Sequence, residues 1–578
     1  MNQIKIPQLK PLYPFVHHKD FRELLNYVAK EYNEDTAFII KHKNKGEVSY
    51  DNISFKHFRD DAFAIGTAML KRGWNGKRIA VVGPNSYNWM ATFFATLGGV
   101  GTTVPLDRGL PYEELESSLA RSYADVLVFD KGSHSAMVEK LKAEGKTLVK
   151  EYICMSELEG YETLDDLRKE GKAALEEGFE DYATIPIDEH AITILLFTSG
   201  TTSMSKAVML SQQNILSNVE AMQQTEPFLR GDVNMAFLPY HHTFGSVGQT
   251  VMTACGVTTA YCDGLKYLQK NLVEYKVSVF FCVPLLIESI YKKVMQTVKK
   301  QGKEKTLATG IKISKFLLKF GIDIRRKLFK DILEPLGGNL RLVISGAAAI
   351  DPVAIQGFND LGILAVQGYG MTEASPVILA ENVKEHALGS CGHAMLGVEV
   401  RIDNPDENGV GEIIARGPNI MAGYYENEEE TSKTLVDGWL HTGDLAYTDK
   451  NGYVFICGRK KNVIVLKNGK NVYPEEIEVL ISNLEYVEEC MVFGQPRRAD
   501  DPVDLAVCLK VVYKPDVMKE TYGVTDIEEI EKIVRADVDK INDTMPVYKQ
   551  ITKIIVTDEP MVKTTTGKVK RYEETKKL

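Results

Sequence analysis

Between residues 78 and 130 the chain alternates short apolar runs with longer helix-like stretches. "RIAVVG" (78–83), "TTVPL" (102–106) and "DVLVFD" (125–130) are the apolar runs, with "YNWMATFFATLGGV" and "YEELESSLARSY" between them. Unbroken apolar strands separated by helices predict a parallel sheet buried under helices. The alternation returns at "SVFFCVP" (278–284), "LRLVISGAAA" (340–349) and "ILAVQGYG" (363–370). At 578 residues the chain is too long for one core, so two or more domains are expected.

From 389 to 458 the pattern changes to short strands between glycine turns, as in "VEVRIDNPDENGVGEIIARGP". This predicts a β-rich subdomain. A boundary is expected at "CGRKKN" (457–462), dividing the chain into 1–458 and 459–578. The second part reads as a smaller α/β unit. "EEIEVLISNL" and "IEEIEKIVRADVDKI" are its helices, and "ECMVFGQP" and "LAVCLKVVY" its strands. The expected class is α/β: a large N-terminal domain of parallel-sheet α/β subdomains plus a β-rich subdomain, then a small α/β C-terminal domain.

Composition narrows the function classes. A net charge of -10 argues against a broad phosphate footprint on nucleic acid. No run approaches membrane-spanning length, and the start "MNQIKIPQLKPLYPF" lacks a signal peptide's apolar core. The eight cysteines are scattered without a C-x-x-C pair, which fits free thiols in a reducing compartment. A cytoplasmic location is expected.

"LFTSGTTSMSKAVMLS" (196–211) follows the apolar "AITILLF" and precedes the helix-like "QQNILSNVEAMQQ". A hydroxyl-rich loop with a lysine between strand and helix can hold phosphate through N–H groups and the ammonium. A solvated turn is an equal reading of this stretch alone. The spacing from Gly200 to Lys206 lacks the second glycine and the magnesium hydroxyl of the nucleotide P-loop. Ser203-x-x-Lys206 has no S-D-N or K-T-G partner, which removes an acyl-serine enzyme. "VQGYGMTE" (366–373) offers Tyr369 for stacking on a base and Glu373 as an oxygen ligand for Mg²⁺, or is a plain glycine turn. "WLHTGDLA" (439–446) sets Asp444 behind a tight turn, where a carboxylate can accept from a sugar diol; Asp turns are also common anywhere. Lys568 in "KTTTGKVKR" follows a glycine near the end of the chain and, taken alone, reads first as part of a basic terminus in water. His241 and His242 lack a third ligand at metal spacing.

The order and spacing of these segments carry more than any one of them. Phosphate loop, L-P-x-x-H, S-G-A, Y-G-x-T-E, T-G-D, G-R-x-K and a final T-G-K follow one another over most of the chain. The set resembles the adenylate-forming (AMP-binding) superfamily of acyl-CoA synthetases, luciferases and peptide-synthetase adenylation domains. "GRKKNVIVLKNGKNVYP" and the long helical insert resemble its long-chain fatty acyl-CoA synthetase branch.

The resemblance implies activation of a fatty acid, of medium or long chain, by MgATP to acyl-AMP and pyrophosphate, then transfer to CoA. An acyl-carrier-protein ligase and a non-catalytic nucleotide- or acyl-binding homologue are the alternatives. It implies that Thr198, Ser199, Gly200, Thr201, Thr202 and Lys206 surround the β- and γ-phosphates. Glu373 would hold Mg²⁺, with Thr372 at the α-phosphate. Tyr369, Gly370 and Gly346–Ala347–Ala348 would form the adenine slot, and Asp444 and Arg459 would take the ribose. Lys461 matches the hinge, His242 the histidine near the acyl carboxylate, and Lys568 the lysine reaching the α-phosphate. The C-terminal domain would be mobile, because Lys568 must leave before the thiol attacks. The loop departs from the family's usual T-S-G-T-T-G-x-P-K-G: Ser203, Ser205 and Ala207 stand for Gly, Pro and Gly.

Residues 292–330 are strongly basic within this acidic chain. Ile313, Phe316, Leu317, Phe320, Ile324 and Leu328 recur at three- and four-residue steps, predicting one helix with an apolar face. Lys315, Lys319, Arg326 and Lys327 fall largely off that face. A helix packed on the large domain and a peripheral contact with an anionic membrane are the two readings.

Overall fold

The structure is a computed structural model and describes residues 3–44, 46–132, 134–198, 205–348, 350–498, 500–563 and 569–578. Among these, two large sheets carry the alternation. The first has eight strands, with Arg78–Val82 central between Thr102–Leu106 and Val126–Phe129. Its pairing is parallel from Ile192–Thr198 across to Glu162–Thr163. It turns antiparallel at the other edge, where Lys206–Ser211 and Gly423–Tyr424 join. The second has nine strands, and its parallel centre runs from Leu364–Gly370 through Leu342–Ser345, Val279–Cys282, Val233–Ala236 and Thr258–Tyr261 to Thr36–Asn44. Val126–Phe129, Val279–Cys282 and Leu342–Ser345 are buried along their whole length, as continuous apolar strands covered on both faces must be.

The β-rich stretch forms an antiparallel sheet around Gly411–Arg416 and Trp439–Thr448. Gln3–Lys5 joins it beside Glu399–Asp403, a pairing that no local pattern announces. Past Arg459 the chain forms the hairpin Ile464–Val465/Asn471–Val472, then a three-stranded sheet of Val487–Arg498, Asp501–Tyr513 and Lys553–Thr557. The helices Pro474–Ser482 and Ile527–Asn542 pack into a core of its own, with Ile477, Ile481, Val534 and Val538 buried. All eight cysteines are free. No helix among the described residues is long and apolar enough to cross a membrane.

Two expectations about local structure are corrected. The loop after Thr198 does not lead straight into a helix. Lys206–Ser211 is a strand antiparallel to Ile192–Thr198, and the helix Gln212–Thr225 begins only after it, capped by the Ser211 hydroxyl on Asn214 N. The loop therefore joins two strands and gains no helix dipole. The basic insert is also not one helix over 311–330. Pro284–Lys300 and Glu304–Leu318 are followed by a break at Gly321, whose φ of +76° ends the helix, and then by the short Arg325–Leu328. Ile313, Phe316, Phe320 and Leu328 are exposed rather than packed on the large domain. The insert is anchored instead through Leu307, Phe329 and Leu333.

Candidate active site

A cavity of about 1680 Å³ opens between the two large sheets, the antiparallel sheet and the C-terminal unit. The strand Leu364–Gly370 enters it and ends at a short turn carrying Thr372 and Glu373. Close packing fixes that turn: a Cβ on Gly370 would lie 1.8 Å from the Pro376 carbonyl oxygen. Glu373 is buried, and Tyr424 donates to its Oε1 at 2.8 Å. Burial, reinforced by the Glu373 carboxylate, raises the Tyr424 phenol, so it remains a donor.

Tyr369 donates to Asp444 Oδ2 at 2.7 Å. Arg459 Nε lies 2.9 Å from Asp444 Oδ1, across the register pair joining Trp439–Thr448 to Val454–Arg459. Burial and the Asp444 carboxylate raise the Tyr369 phenol well above its ordinary range. Tyr369 and Arg459 line the cavity; Asp444, 6% exposed, stands one layer behind them. With one partner on each oxygen, its carboxylate retains lone pairs for a diol. Ser345 leads into Gly346, Ala347 and Ala348, which line the wall near Phe244; Ala347 adopts φ +74°, where the backbone is strained for a residue with a Cβ.

Thr198 and Ser205 are the described ends of the hydroxyl-rich loop, and Thr198 and Lys206 line the cavity. Lys206 Nζ pairs with Glu430 and sits 4.8 Å over the Tyr424 ring. Arg121 Nη2 donates to the Ser205 carbonyl at 2.7 Å, anchoring the loop's exit. Ser199, Gly200, Thr201, Thr202 and Ser203, like Lys568, lie outside the described residues. His242 forms the N-terminal boundary of the helix Thr243–Ala254, and its ring centroid lies 4.3 Å from that of His241 with the planes tilted by 55°. Lys461 lines the cavity beside Arg459, and burial with that neighbour lowers its ammonium below the ordinary value. Val479, Ser482 and Asn483 of the C-terminal unit line the same cavity, so both sides of Lys461 contribute to it.

Sequence reading missed three groups. Tyr424 carries no motif, and Glu430 sits in the acidic run "ENEEE" that reads as solvent-facing. Glu412 lines the cavity with His441 at 3.3 Å and Lys460 at 3.0 Å; burial opposes its charge, but hydrogen bonds from Lys460, His441 and Gly443 N and the Lys460 charge outweigh that and hold it below its ordinary value.

The AMP-binding enzyme profile matches residues 25–425, and the AMP-binding enzyme C-terminal domain profile matches 461–578. The chain belongs to the AMP-binding enzyme family. It is 28% identical to the Rattus norvegicus long-chain-fatty-acid–CoA ligase 5, over 91% of this chain and 82% of that protein. The chloroplastic long-chain-fatty-acid–[acyl-carrier-protein] ligase AEE15 of Arabidopsis thaliana is 28% identical, over 54% of this chain and 50% of that protein. The fold matches the anthranilate CoA ligase AuaEII, solved with anthranoyl-AMP, at a TM-score of 0.75 and 19% identity, covering 98% of each chain.

Proposed function

We propose that the chain is an acid–thiol ligase that activates a fatty acid with ATP to acyl-AMP and transfers the acyl group to CoA. The single observation that carries this is the cavity. It joins a charged wall, Tyr369–Asp444–Arg459 and Tyr424–Glu373, to an apolar chamber lined by Met222, Val366, Val377 and Met395. A nucleotide fits the first and an alkyl chain the second. In this reading Tyr369, Gly370 and Gly346–Ala348 hold the adenine, while Asp444 and Arg459 hold the ribose. Thr198 to Lys206 hold the outer phosphates, Thr372 the α-phosphate, and His242 positions the acyl carboxylate.

The carboxylate must approach an anionic phosphate. Lys568 supplies positive charge to both, and Lys206 exchanges Glu430 for phosphate when ATP enters. Glu373 suits Mg²⁺: it is a buried carboxylate on the cavity wall, oriented by Tyr424, and one protein oxygen suffices for an ion that keeps waters and substrate phosphates. Bound there, the ion would neutralise phosphate charge. The division at 458/459, with Lys461 as hinge, lets the small domain withdraw Lys568 before the thiol attacks. The rat relative favours CoA as acceptor; the carrier-protein ligase relative keeps a protein-borne thiol as the second reading. The test is a chain-length panel of acids with ATP, with products resolved by mass. AMP, pyrophosphate and acyl-CoA are expected, and carrier protein replacing CoA as the preferred acceptor would select the second reading.

The insert supports contact with an anionic membrane surface. Exposed Ile313, Phe316 and Phe320 stand among exposed Lys312, Lys319 and Lys327, and the Phe316 and Phe320 rings meet edge to face at 5.2 Å. Lys315 pairs with Asp360, and Arg326 donates to the Gly338 and Leu340 carbonyls, so these two secure the insert instead. The partition coefficient onto anionic vesicles at low salt should fall on the order of 100-fold when Lys312, Lys319 and Lys327 become glutamate, at about 1 kcal/mol per basic residue. No recovery of the wild type with anionic vesicles at low salt removes the membrane reading and leaves the insert structural.

A further inference from the structure

The two arms that flank Lys568 are tied together at Lys563 and Val569, which form an antiparallel bridge. Lys570 N also donates to the Val562 carbonyl at 2.8 Å. Met561 and Val569 pack with Leu578 against Met491, Phe493, Cys508 and Val512 of the three-stranded sheet. Such packing sets depth more than register, because the hydrophobic effect has no direction.

Directed bonds come from three charged side chains. Glu489, whose side chain is 8% exposed, accepts from Met561 N at 2.9 Å and pairs with Lys563. Arg571 Nη2 donates to the Glu478 carboxylate, and its Nη1 donates to the Val492 carbonyl at 2.9 Å. Glu574 is fully buried. Its Oε1 accepts from Val562 N at 2.9 Å, and its Oε2 accepts from Lys510 Nζ at 2.7 Å. Lys577 is a second donor to Oε1 at 2.9 Å. One carboxylate thus connects the short helix Arg571–Thr575, the strand Asp501–Tyr513 and the arm that leads to Lys568.

A buried ion pair is a poor source of stability, since apolar side chains of similar volume often do as well or better. What an apolar side chain at 574 cannot do is accept from Val562 N. Glu574 therefore contributes direction: it fixes the backbone of the arm relative to the sheet.

We propose that Glu574 is a positioning residue for acyl-AMP formation, fixing through Val562 N the arm from which Lys568 reaches the α-phosphate and the acid. The inference rests on the ligase reading above and on the part Lys568 plays in it. Lys568 must be placed accurately between two anions, and a misplacement of about 1 Å can cost on the order of 100-fold in rate. Thioester formation, for which Lys568 is withdrawn, does not depend on that placement. Every member of the clamp lies beyond residue 459, so the clamp travels with Lys568 when the small domain moves.

The test uses Glu574→Leu combined with Lys510→Met. This removes the acceptor and its buried partner together and leaves neither charge unpaired in the core. The two half-reactions are measured separately: pyrophosphate release with ATP and a fatty acid, and thioester formation from supplied acyl-AMP and CoA. The double variant should lose at least about tenfold in kcat for acyl-AMP formation, with the KM for ATP little changed and thioester formed at the wild-type rate. Thioester formation counts the folded sites, so the ratio of the two rates answers the question even if the variant folds poorly. Glu574→Gln in the Lys510→Met background returns an oxygen that accepts from Val562 N and should restore most of the lost rate. Acyl-AMP formation at the wild-type rate in the double variant overturns the proposal. So does equal loss in both half-reactions, which would make the pair a structural staple. Lys568→Ala, measured alongside, keeps failure of the ligase reading apart: acyl-AMP formation unaffected by that substitution, or no pyrophosphate release by wild type with any acid, overturns the reading itself.

Discussion

On the wall that carries Asp444 and Glu373, each carboxylate is held by side chains from distant parts of the chain. Tyr369 and Arg459 hold Asp444, Tyr424 holds Glu373, and Lys206 holds Glu430. Elsewhere the cavity is lined by Met222, Val366, Val377 and Met395, which pack without directed bonds, and Glu226 Oε2 accepts no hydrogen bond among the described residues. The charged wall is organised before any ligand arrives, so nucleotide binding exchanges partners instead of creating order. The apolar lining carries no comparable set of paired charges. Affinity for the nucleotide and choice of acid are therefore separable properties of one cavity.

The sharpest way to break that separation is Lys568→Ala. It should reduce acyl-AMP formation on the order of 10³-fold, as loss of a charge-stabilising group does, while thioester formation from supplied acyl-AMP falls far less. Pyrophosphate release and CoA-thioester formation, measured separately, check this; equal losses would contradict the withdrawal of Lys568 between steps. Asp444→Asn comes next. Weakening charge-assisted bonds should raise the KM for ATP by roughly 10- to 100-fold and leave the KM for the acid nearly unchanged. If both constants rise together, wall and chamber are coupled and the contrast fails. Tyr424→Phe should have the smallest effect: an about tenfold rise in the Mg²⁺ concentration for half-maximal rate, the low end of what losing an outer partner costs a metal site. An unchanged Mg²⁺ requirement would remove Tyr424 as the group that orients Glu373.

Legibility in the sequence divides along similar lines. Val126–Phe129 and Leu342–Ser345 announce buried parallel strands because they are apolar without interruption. Tyr369 and Asp444 both lie in recognisable segments, yet their hydrogen bond spans 75 positions and only the fold reveals it. Lys206–Ser211 was hidden as a strand because it begins with lysine and runs directly into a helix. The spacing of Phe316 and Phe320 fits a buried helical face, but periodicity does not say which side meets the core, nor that Gly321 stops the helix. Glu226, in "TEP" at a helix end, resembles any polar cap residue. Chamber walls drawn from separate elements leave no motif.

The central claim is that acid and ATP react before any thiol is present. Exchange of labelled pyrophosphate into ATP, measured with a fatty acid but without CoA or carrier protein, tests it most directly. Acid-dependent exchange in the absence of any thiol acceptor is the expected result. Exchange that requires a thiol, or none with any acid while ATP still binds, would contradict it.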